Sequence, residues 1–123
     1  MPNHSQFRGK LREKIFTDCG VVSTATDVPL SELFYTEWCD DFIQFMKNRL
    51  VMGALRYGAF NSSEKGGYDC IKSIIDKARL YDKTGNDELL VDIANLALVE
   101  YIKGTHPKKH FAATDDTHHT PRI

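Results

Sequence analysis

The stretch LVDIANLALVEY, residues 90–101, holds eight aliphatic residues out of twelve, yet it keeps Asp92 and Asn95, with Glu88 one turn upstream. A polar group taken out of water without a partner costs roughly 2–7 kcal/mol, and an ionised carboxylate costs more. A helical residue advances about 100° around the axis, so Glu88, Asp92 and Asn95 share one stripe, which Val99 continues. By the same arithmetic Glu37, Asp41, Gln44 and Asn48 share another. If the two stripes face each other, the pairs Glu37/Asp41 and Glu88/Asp92 repel unless cations lie between them. Oxygen ligands with no Cys or His among them suit Mg²⁺, or Mn²⁺ in its stead. Mg²⁺ also takes phosphate oxygens, so the chemistry to expect is binding of a phosphorylated small molecule. Arg49 and Arg56 fall on the face of Trp38, Phe42 and Phe45, where a guanidinium can stack on rings or grip a phosphate bidentately.

Each feature has a plain structural alternative. The stripe of Glu37, Asp41, Gln44 and Asn48 equally fits a solvated helix face. Asp92 and Asn95 equally fit a buried network in which Asp92 bonds Lys77 or Arg79 of a neighbouring helix. Arg49 and Arg56 can snorkel from the edge of an apolar face or form salt bridges. Spacing does not separate these readings.

The elements that must position these residues are helices. From Pro29 onward, apolar residues at 30, 34, 38, 42, 45 and 52, flanked by 43, 46 and 50, keep helical spacing. This predicts one long helix over about 30–56, ending near Gly58, and a loop through AFNSSEKGG. A second helix is expected over about 67–84, with Ile71, Ile74, Ile75, Ala78 and Tyr81 on one face and Gly85 as its left-handed terminator. The third, about 87–103, starts at Asn86 or Asp87 and is stopped by Gly104 and Pro107. The tight link makes the last two an antiparallel pair. The fold class is therefore all-α, a helical bundle with irregular ends. Residues 1–29 form an N-terminal segment in which SQFRGKLREKIF could fold as a short helix. Residues 30–104 form the helical domain, and 105–123 a polar tail anchored mainly by Phe111.

Composition narrows the function classes. The 123 residues carry a net charge of −1, which gives no basic field for duplex nucleic acid. No apolar run reaches the ~20 residues that span a bilayer, and the polar start is no signal peptide, so no membrane partner is expected. Three cysteines without CxxC spacing read as reduced thiols in a cytoplasmic protein. His106 and His110 are separated by Pro107, and His118 and His119 lie in the tail near Asp115 and Asp116, so neither pair makes a zinc signature. No GxSxG, phosphate-binding glycine loop, dinucleotide-binding glycine pattern or HExxH motif is present.

The segments FIQFMKNRLVMGALRYGAF and IIDKARLYDKTGNDELLVDIANLALVEY resemble the MazG-like all-α nucleoside triphosphate pyrophosphohydrolase superfamily, in particular its phage branch linked to nucleotide modification. The resemblance spans roughly residues 37–103. It lies in the turn Arg56-Tyr57-Gly58, the helix with Asp76, Lys77 and Arg79, and the D-x-x-N of Asp92 and Asn95. It implies a helical bundle assembled as a homodimer or homotetramer, in which acids on two helices hold Mg²⁺ against a nucleoside triphosphate and water releases pyrophosphate. Asp92 matches the acid of the family's second metal motif. Glu88 stands one residue farther away than the family's ExxD spacing, and only Glu37, Asp40 and Asp41 stand where EExxE is expected.

The resulting expectation is a Mg²⁺-dependent nucleotide pyrophosphohydrolase. Glu37, Asp41, Glu88 and Asp92 would hold the metal, with Glu37, Asp41 and Asp92 serving catalysis. Arg49, Arg56 and Lys77 would engage phosphates, and Asn95 the base or sugar. The alternatives are a non-catalytic nucleotide-binding or sequestering protein of phage origin, and a structural or interaction protein whose buried acids serve the fold.

Overall fold

The structure, a computed structural model, describes residues 26–60, 67–112, 121 and 123. The short helix expected in SQFRGKLREKIF lies outside the described residues, as does most of the expected 59–67 loop. The described residues form four helices and no strand: α1 (Leu30–Thr36), α2 (Asp40–Tyr57), α3 (Cys70–Thr84) and α4 (Glu88–Lys103). The all-α expectation holds. The chain divides into two units, Met1–Trp38 with His110–Ile123, and Cys39–Lys109.

The long helix expected over 30–56 is broken at 37–39. In the first unit, α1 follows Pro29, whose carbonyl accepts from the N–H groups of Glu32 and Leu33, and ends after two turns at Glu37. In the second unit, α2 begins after Cys39, whose backbone is extended at φ −137°. Apolar periodicity runs through the break, but Asp40 and Asp41 do not suit a helix interior. Their short carboxylates compete for backbone groups there and are favoured instead beside the positive end of a new helix. They occupy that first turn. Gly58, at φ 102°, ends α2 as expected.

In α3 the Asp69 carboxylate accepts from the Lys72 backbone N–H at 3.0 Å, closing the N-terminus. Gly85 takes the left-handed conformation, φ 67°, and its N–H bonds Tyr81 O at 2.8 Å. The Asn86 side chain then accepts from the Glu88 N–H at 3.1 Å, and only three residues separate α3 from α4. A cavity lined by Tyr68, Cys70, Val99, Glu100 and Lys103 brings the start of α3 beside the end of α4, which makes the pair antiparallel.

Helix α4 is the centre of the second unit. It packs against α3 over most of its length and, less extensively, against α2. Leu89, Val91 and Asn95 of α4 and Cys70 of α3 are buried. Ile71 and Ile75, expected on the covered face of α3, are 52% and 45% exposed. With α4 as its principal neighbour, α3 has only part of its apolar face covered. Phe111, the expected anchor of the tail, is exposed. The chain after α4 is held instead by Lys109, which lies 5.7 Å from the centroid of the Tyr101 ring. Its ammonium donates to the carbonyls of Tyr101 and Gly104, two acceptors that the helix end leaves open.

Candidate functional site

Three helices of the second unit contribute to one charged cluster. Arg49 projects from the middle of α2, Lys77 from α3, and Glu88 and Asp92 from α4. The Arg49 guanidinium bonds both acids: Nη1 lies 2.8 Å from Glu88 Oε1, and Nε lies 2.9 Å from Asp92 Oδ1. On the second Asp92 oxygen, Arg49 Nη2 and Lys77 Nζ each stand at 3.5 Å. The Asp92 side chain is 19% exposed and those of Arg49 and Lys77 are 35% exposed, so the Asp92 pairing is partly withdrawn from water, whereas Glu88 is 55% exposed. Charge-assisted bonds in such surroundings are stronger than their surface counterparts, because less solvent screens them.

One turn along α4, Asn95 donates from Nδ2 to the backbone carbonyl of Met46 at 3.1 Å. This side chain joins α4 to the α2 backbone from a position only 8% exposed. Its Oδ1 is buried and has no hydrogen-bond partner.

Of the eight residues expected at the site, five therefore come together in the α2–α4 region: Arg49, Lys77, Glu88, Asp92 and Asn95. Among the described residues, neither Asp41 nor Arg56 bonds to these five. Glu37 belongs to the first unit. Asp41 is exposed in the first turn of α2, and Arg56 is exposed in its last turn. Asp41 instead lines an apolar cavity of about 490 Å³ with Phe42, Phe45, Asp87, Glu88 and Val91.

Glu88 and Asp92 face cations, Arg49 and Lys77. Among the described residues, no three of His, Cys, Asp and Glu form a group that could hold a metal ion. The acids are chemically suited to Mg²⁺, but as paired here they do not fit it, since both Asp92 oxygens already face cationic nitrogens. The charged part of the cluster is thus neutral, with two carboxylates against one guanidinium and one ammonium.

Among the described cysteines, Cys70 offers no thiolate. Burial pushes the Cys70 thiol upward, and nearby Glu100 and Asp69 push it further, so it stays protonated at neutral pH. Cys39 is exposed at the start of α2.

Two features were missed by sequence reasoning. The acceptor for Asn95 is a main-chain carbonyl, which carries no side-chain signal. The tie made by Lys109 depends on how the chain turns back after Gly104. The Arg49–Asp92 pairing did have a signal, an arginine set into an aromatic face, and among the readings of that signal was a salt bridge.

No family model matches this chain, and no curated protein or solved structure matches it either.

Proposed function

We propose that this chain binds a nucleoside triphosphate beside the Arg49–Lys77–Glu88–Asp92 cluster and that release of pyrophosphate is the reaction to test. One observation carries the reading. Five residues assigned to such a site from the sequence, up to 46 positions apart, meet where α4 packs on its neighbours. Arg49 and Lys77 each keep about a third of the side chain exposed, so a phosphate can approach their free N–H groups. The triphosphate and the phage setting come from the family resemblance alone. The Mg²⁺ or Mn²⁺ that the resemblance implies has no role assigned here, because the acids as paired do not fit it. A cytoplasmic location is part of the same proposal; among the described residues no helix is long and apolar enough to cross a membrane.

The deciding experiment incubates the full chain with a panel of ribo- and deoxynucleoside triphosphates, with and without divalent cation. Binding is followed by calorimetry and products by chromatography. Monophosphate and pyrophosphate identify the hydrolase, whereas binding without products identifies a sequestering protein. If no member of the panel binds, the nucleotide reading fails.

A second reading has its own observation. Phe45, Val51, Met52 and Leu55 of α2 are 37–83% exposed in the single chain. Such residues are typical of a surface that another protein covers, and a homodimer or homotetramer is the assembly we propose. Sedimentation equilibrium tests it: a monomer at micromolar concentration would remove it.

A further inference from the structure

The cluster invites the question of what neutralises two acids on an apolar helix. A metal is one answer, and it requires oxygens free to approach at about 2.0–2.1 Å in near-octahedral array for Mg²⁺. Here the nitrogens of Arg49 hold Glu88 Oε1 at 2.8 Å and Asp92 Oδ1 at 2.9 Å. Lys77 stands on the other Asp92 oxygen at 3.5 Å. The two negative charges are therefore already balanced by two positive ones. A divalent cation entering this cluster meets no net negative charge and must first displace a guanidinium bonded to both acids.

We propose that Arg49 is a built-in counter-ion to Glu88 and Asp92, so that this acid pair is complete without metal. The planar fork suits the task, because one side chain presents separate N–H groups to the two carboxylates. Lysine, a single point charge, does not present that geometry. The inference is independent of the nucleotide reading, since it concerns the resting charge balance and not what binds beside it.

The prediction is that removing the guanidinium creates a metal site. Arg49→Met leaves Glu88 and Asp92 against Lys77 alone, with one net negative charge. Mn²⁺ is the probe, its binding read from loss of the free-ion paramagnetic resonance signal and from the thermal midpoint of the full chain. Wild type should show no binding that depends on Asp92 in millimolar Mn²⁺. Arg49→Met should bind at least about tenfold more tightly, and Arg49→Met/Asp92→Asn should lose that gain. Arg49→Lys should fall between wild type and Arg49→Met.

Two results overturn the idea. One is stoichiometric Mn²⁺ binding by wild type that Asp92→Asn abolishes. The other is a folded Arg49→Met protein that gains nothing. Should Arg49→Met fail to fold, wild type and Asp92→Asn still decide the matter. None of these readouts uses nucleotide, so failure here and failure of the nucleotide panel are distinguishable.

Discussion

Helices α2 and α4 each carry a polar stripe with the same spacing, and the two stripes have opposite fates. On α4, Asp92 and Asn95 are turned inward and bonded to α2, with Lys77 of α3 adding to Asp92. On α2, Asp41, Gln44 and Asn48 are exposed, and the bond from Gln44 Nε2 to Asn48 Oδ1 at 2.9 Å lies on the surface. What differs is the company. Asp92 and Asn95 are set among aliphatic residues on a helix covered from two sides, so each bonds to a group of the protein, while Glu88 also keeps water. The α2 stripe has water for a partner. Polar spacing on a helix identifies which residues share a face; only the neighbouring helices decide whether that face becomes a site.

The comparison can be broken by substitution. The largest effect is expected from Asp92→Ala, which leaves Arg49 with Glu88 alone and strips Lys77 of its partner. Because Asp92 is about one-fifth exposed, the loss should be about 2–3 kcal/mol, below that of a fully buried pair, measured as a lower midpoint in urea. Asn95→Ala should cost about 1–2 kcal/mol through loss of its bond to Met46 O. Gly85→Ala forces a Cβ onto a left-handed residue and should destabilise by about 1 kcal/mol. Gln44→Ala, on the solvated stripe, should stay within about 0.5 kcal/mol of wild type. Equal losses for Gln44→Ala and Asp92→Ala would dissolve the distinction between the two helices.

Helix ends were the most legible part of the sequence. Gly58, Gly85 and Gly104 each stop a helix, Gly58 and Gly85 with positive φ. At Gly104 the requirement is space, because a Cβ there would press on the Glu100 carbonyl oxygen. The break at 37–39 was not legible from periodicity, since Phe34, Trp38 and Phe42 keep helical intervals across it. Its signal was Asp40 and Asp41, which resemble helix-interior surface residues until their preference for a first turn is weighed. For the site, Lys77 was among the partners considered for Asp92. Arg49 was expected to meet a phosphate or an aromatic ring or to form a salt bridge, and its partner turned out to be the acid pair itself. Residue types showed that both charges needed partners. They did not show that each was the other's, because that depends on how α2 crosses α4.

The short link from Gly85 to Asp87 has a consequence for how the chain reaches this structure. Closing so small a loop forfeits little chain entropy, and it lets α3 and α4 pair through contacts of low sequence separation. Arg49 and Asp92 are 43 positions apart, so their meeting waits on a much wider closure. Low contact order favours early formation, which makes the α3–α4 hairpin the expected folding nucleus and the docking of α2 the later event. Pulse-labelled amide exchange should then protect α3 and α4 before α2, and protection of α2 first would reverse that order. On this pathway the acid pair is presented to solvent on a preformed hairpin, and the arrival of Arg49 is the step that neutralises it.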